Sequence, residues 1–217
     1  MAKRAKGEWA ESLPFTHKAF RPYALAIGEL TLAWNDLHET LAMLFCTIMG
    51  GGWVGPYLAI WHAIKVDRAQ RDILMAVLNS KRTPGLHLGR SELYEAVKWI
   101  YDKANQLEDS YRNNIIHAPL WGTKGAVVPL TGLGHKRAAN LAGKNLLSES
   151  RWCRDAISVL RNFAIEIDSA LQDYRKPWPD KPAWPTQPHP STTKPRPPRG
   201  QSKTSSPASI IWGVILN

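Results

Sequence analysis

The chain has 217 residues, 44% of them hydrophobic, with 28 Lys and Arg against 18 Asp and Glu, 16 prolines and two cysteines. That length holds one ordinary domain plus extensions, and Cys46 and Cys153, far apart and without a Cys-x-x-Cys unit, argue against a disulfide scaffold or zinc knuckle and for a reducing, cytoplasmic setting. No apolar run approaches the roughly 20 residues that span a bilayer, and no signal-type stretch follows Met1-Ala2-Lys3-Arg4, so membrane insertion and secretion are set aside.

The formal charge of +10 lies mostly in the ends. Residues 9–174 hold 18 basic and 16 acidic groups, a balance of only +2. Basic ends add salt-sensitive affinity for any polyanion, which suits RNA or DNA without specifying either.

In chain order, residues 1–20 read as a basic N-terminal extension and 21–174 as the helical domain. From Tyr23, the residues Ile27, Leu30, Trp34, Leu37, Leu41, Leu44 and Ile48 recur at spacings of three and four, the seam of a long amphipathic helix. Pro22 suits its first turn and Gly50-Gly51-Gly52 its end. A second helical pattern covers Pro56 to Ser80, with a break expected near Val66, where Asp67 is a candidate cap and Asp67/Arg71 and Arg68/Asp72 are candidate i,i+4 pairs. Lys81 to Gly85 makes a loop.

The third pattern starts near Ser91, with Leu93, Val97, Ile100, Ala104, Leu107 and Tyr111 on one stripe, and Pro119 limits it. Residues 121–145 are Gly-rich and contain Ala126-Val127-Val128, which fits a short hairpin or an irregular loop. Ser148 is a candidate cap for the last helix, whose seam is Cys153, Ala156, Leu160, Phe163, Ile167 and Ala170. From 175 to 217 the prolines exclude helix and interior strand, so the expectation is a disordered, basic, Pro-rich tail with the fold ending near Tyr174. The predicted class is all-α, a bundle of four to five helices.

No Walker loop, dinucleotide-binding glycine fingerprint, His-Glu-x-x-His or nucleophile-elbow serine is present, and no cofactor or metal site is expected. What remains is Tyr111-Arg112-Asn113-Asn114-Ile115-Ile116-His117, at the end of the third helix. This segment resembles the signature of the HEPN superfamily, an Arg followed by a polar residue and, a few positions on, a His within a small helical bundle. The match falls on Arg112, Asn113 and His117. A second pair at the same spacing, Arg82 and His87, encloses Pro84 and Gly85 and reads as loop.

The resemblance implies metal-independent cleavage of RNA, leaving a cyclic phosphate end, by a homodimer whose two motifs face one cleft. It also implies a toxin or phage-defence setting, with an antitoxin or other regulatory partner. The chemistry is coherent without a metal, since RNA carries its own nucleophile in the 2′-hydroxyl and a His titrating near neutrality suits proton transfer. Arg112 stays protonated, so its role is the phosphate and its transition-state charge. Asn113 is placed to donate to phosphate or to orient His117, four residues on. The departure from the family's toxin pattern is His117-Ala118-Pro119, which lacks a Tyr two residues after the His.

A regular helix puts Arg112 and His117 about 140° apart. Convergence therefore needs a helix end, a break near Asp109-Ser110, or a second subunit. Continuing the seam would bury Asn114 in place of Ile115, which signals a phase shift where the motif begins. The competing reading makes Arg112 a helix-dipole partner and His117 a C-terminal cap within a non-catalytic helical interaction or RNA-binding module. His38 and His62 read as packing histidines, Asn35 and Glu39 as solvated, and Trp34, Trp61, Trp99 and Trp152 as core or interface.

Overall fold

The computed structural model describes residues 13–52, 54–80, 90–123, 126–129 and 135–188. The Arg82–His87 pair and residues 189–217 lie outside them. Helix α1 runs Arg21–Ile48 with Pro22 in its first turn. It ends where Gly50 and Gly51 take φ of +110° and +65°, and the Gly51 N–H reaches back to the Cys46 carbonyl. Only glycine adopts two such residues in succession without strain.

Helices α2 (Val54–Ala63) and α3 (Asp67–Asn79) are separated at 64–66, as the sequence predicts. The expected cap is not made. Val66 occupies the cap position without a side-chain bond, and the Asp67 carboxylate accepts the Trp34 indole N–H at 2.7 Å instead. The expected i,i+4 pairs are replaced by longer-range ones, Arg71 with Glu108 and Arg68 with Asp109, because both arginines face the segment 105–109.

Helix α4 (Arg90–Leu107) continues into a π-helical turn, Glu108–Arg112, and then α5, Asn113–His117. The Asn113 N–H bonds the Glu108 carbonyl five residues back. This wide turn is the predicted phase shift. It brings Ile115 fully into the core, while Asn114, also buried, is satisfied by donating to the Ser110 carbonyl and accepting from Asn140. A π turn within a helix adds one residue to it and frequently marks a functional position.

Strands β1 (Leu120–Thr123) and β2 (Ala126–Pro129) form an antiparallel hairpin, Trp121 opposite Val128. Residues 13–20 dock on it. Phe20 lies so close over Gly122 that a Cβ there would meet its ring at 2.8 Å, and the Leu13 N–H bonds the Gly122 carbonyl. A short helix α6, Lys136–Ala139, was not expected from the sequence. Helix α7 spans Leu146–Gln172, and its cap is Asn145, whose side chain accepts from the Ser148 N–H, so the expected cap at Ser148 moves three residues upstream.

Contacts of Glu29 with Arg154, Asp36 with Arg161 and Thr47 with Gln172 advance together, so α1 and α7 run parallel. Helix α4 lies antiparallel to α7, with Trp99 on Phe163 and Tyr111 on Trp152. Helix α3 closes the bundle between α1 and α4. The seams predicted for α1, α4 and α7 are the core, and Trp34 and Trp61 are buried within it. Cys46 and Cys153 are buried free thiols, and burial pushes the Cys153 thiol up to about 12. Among the described residues no helix is long and apolar enough to cross a membrane.

The helices stop where expected, but the packed chain does not end near Tyr174. After a turn at 174–176, residues 177–188 lie extended across α4 and α7 as a strap. Trp184 meets Trp99 edge-on at 5.7 Å, Lys103 sits over Trp184, and the Trp152 indole donates to the Pro185 carbonyl. Prolines exclude helix and sheet here, yet they leave an extended ribbon whose tryptophans bury well.

Candidate functional site

The π turn and α5 carry the motif, and α1, α6 and α7 surround it. Arg112 is half-buried. Its guanidinium lies 5.1 Å from the centre of the Trp34 ring, its Nη1 donates to the Asn113 side-chain oxygen at 3.0 Å, and its buried Nε has no hydrogen-bond partner. Asn113 is therefore turned onto Arg112, and among the described residues no hydrogen bond joins it to His117. The Asn113 carbonyl accepts from Arg137 at 3.4 Å.

His117 is exposed at the end of α5. The helix terminus is closed by the Ala118 N–H on the Asn114 carbonyl, and among the described residues the imidazole makes no capping hydrogen bond. Partial desolvation, then the positive charges of Arg137 and Arg112, hold its pKa below the ordinary imidazole value. Both arginines thus lie within electrostatic reach of the ring, which stays neutral and able to accept a proton at neutral pH. No hydrogen bond joins Arg112 to His117 among the described residues. One chain brings the two within electrostatic reach without a hydrogen bond between them.

Behind Arg112 lies a dense polar network. Arg71, only 1% exposed, bonds Asn105 through two N–H groups, Glu108 as an ion pair, and His38 Nε2 at 2.9 Å, and lies 5.3 Å from the Trp34 ring centre. A guanidinium can only donate, so His38 Nε2 accepts and Nδ1–H donates to Gln70 at 2.9 Å. Gln70 in turn donates to the Trp61 and Ile64 carbonyls. The network therefore requires a neutral His38, and burial holds its pKa low.

Glu149, in the first turn of α7, is 3% exposed, and its Oε2 has no hydrogen-bond partner among the described residues. Its charge and that of Arg112 both act on the Cys153 thiol. His62 does not pack as expected; it is exposed and faces Glu39 at 3.6 Å, both in solvent. Among the described residues no group of three or more His, Cys, Asp or Glu could hold a metal ion.

Sequence reasoning singled out Arg112, Asn113 and His117 and missed Arg137, Arg71, Glu149 and the role of Trp34. His135-Lys136-Arg137 in a Gly-rich stretch was the available signal for Arg137; nothing in the linear pattern pairs Trp34 with Arg112. No protein-family model, curated protein or solved structure matches the chain.

Proposed function

We propose that the protein is a metal-independent endoribonuclease of HEPN type. The observation that carries this reading is an exposed imidazole, His117, at the end of a short helix whose first residue, Asn113, is bonded by both Arg112 and Arg137, immediately after a π turn. In the proposed reaction His117 takes the proton of a 2′-hydroxyl, and the oxygen attacks the adjacent phosphorus. The 5′-oxygen leaves, taking a proton from solvent water, and a cyclic phosphate remains. Arg112 and Arg137 hold the negative phosphorane, and the Asn113 amide donates to a phosphate oxygen. Charge stabilisation of this kind is worth about 3–4 kcal/mol per well-placed donor.

The proposed assembly is a homodimer, in which a second Arg112–His117 set faces the same RNA. A non-catalytic interaction module is the second reading, favoured by Leu25 and Leu32, which are 62% and 70% exposed on the outer face of α1. Purified protein incubated with varied RNAs in EDTA separates the two. Cleavage lost by at least a hundredfold in both Arg112→Ala and His117→Ala, with unchanged circular dichroism, supports the nuclease; no cleavage of any RNA by the wild type refutes it.

A further inference from the structure

Two arginines share the Trp34 indole, and they differ in one respect. Arg71 is neutralised by Glu108 and saturated by Asn105 and His38. Arg112 has no carboxylate within ion-pair distance among the described residues, an unbonded Nε, and only its sequence neighbour Asn113 as a polar partner. A side chain one residue away moves with Arg112 and cannot fix it relative to the rest of the molecule. The ring can. Trp34 is 1% exposed, its N–H is pinned to Asp67 at 2.7 Å, and His38 lies against it at 5.2 Å between centroids.

The geometry points to Trp34 as a positioning residue, a rigid aromatic shelf that holds the Arg112 guanidinium beside His117 without neutralising it. An aromatic face attracts a cation through its quadrupole and carries no net charge. The positive field therefore remains available to an anion, where a carboxylate partner would cancel it. Arg71 and Asp67 hold the shelf itself, from α3. The proposal deepens the nuclease reading and rests on it for its purpose, while the placement of Arg112 can be read independently.

The test is an NMR titration of His117 in Trp34→Leu, Trp34→Phe and Arg112→Gln, with RNA cleavage measured alongside. If Trp34 fixes Arg112, the His117 pKa in Trp34→Leu rises to the value in Arg112→Gln. The double variant then adds nothing further, and Phe, which restores an aromatic face, returns the pKa toward wild type. Cleavage falls roughly tenfold in Trp34→Leu, the scale of one cation–π contact.

Should Trp34→Leu not fold, Asp67→Ala and Asp67→Asn decide. The alanine frees the indole and raises the His117 pKa relative to the asparagine, which still accepts the N–H; loss of the Asp67 charge alone lowers it. A His117 pKa that moves in Arg112→Gln but not in Trp34→Leu, or that is equal in the two Asp67 variants where these decide, overturns the proposal. If the wild type cuts no RNA while the titration behaves as stated, the nuclease reading falls and the positioning role stands. If cleavage depends on Arg112 but is indifferent to Trp34, the positioning role alone falls.

Discussion

Replacing Arg71 by Met keeps the length and apolar stem of the side chain and deletes its charge. The change strands the Glu108 carboxylate, leaves Asn105 Oδ1 without two N–H donors and His38 Nε2 without its donor. Breaking a buried pair from one side costs about 3–5 kcal/mol. Glu108 is 15% exposed, so water relieves part of the penalty and the lower end, about 3 kcal/mol, applies. For a domain of this size each kcal/mol moves Tm by about 2–4 °C, which gives a fall of about 6–12 °C.

Urea unfolding followed by circular dichroism measures the loss, and Glu108→Gln completes the cycle. Because the double variant leaves no stranded charge, the two single losses should exceed the loss of the double by at least about 1 kcal/mol. A single-variant loss below about 1 kcal/mol with additive behaviour would refute the claim that this pair anchors the π turn to α3.

Acid should weaken the fold through His38. Its folded pKa lies below the unfolded 6.5, so the unfolded chain binds more protons in that interval; the contribution is complete above about pH 6.5 and is lost as pH falls toward the folded value. Urea midpoints at pH 7.5 and 5 should therefore differ less in His38→Gln than in wild type, and equal differences would count against a neutral His38 in the folded protein. Trp184→Ala should cost about 1–3 kcal/mol by removing the edge-on contact with Trp99 and the Lys103 contact. Limited trypsin digestion at the Arg175–Lys176 bond, the tryptic site that no proline follows between 175 and 188, should accelerate in the same variant, and unchanged digestion would deny that Trp184 anchors the strap.

The long helices were legible because burial along a helix repeats every three to four residues, and the seams from Ile27 to Ile48, Leu93 to Tyr111 and Cys153 to Ala170 carry that repeat without interruption. The phase shift before the motif was legible for the same reason, since a seam that would bury Asn114 in place of Ile115 signals a change of pitch. The strap was misread because proline content excludes helix and interior strand but says nothing about whether Trp178 and Trp184 find an apolar surface.

The sequence by itself determined an all-helical chain, its breaks at Gly50 and Val66, and the segment in which Arg112 and His117 lie. Only the tertiary structure decided that Asp67 serves Trp34 and not its own helix, that Arg71 crosses to Glu108, that Asn113 turns to Arg112, and that Arg137 joins the site. Hydrophobic periodicity is a local property of the chain, whereas the partner of a charged side chain is chosen among groups as far as 125 residues away by how the helices pack.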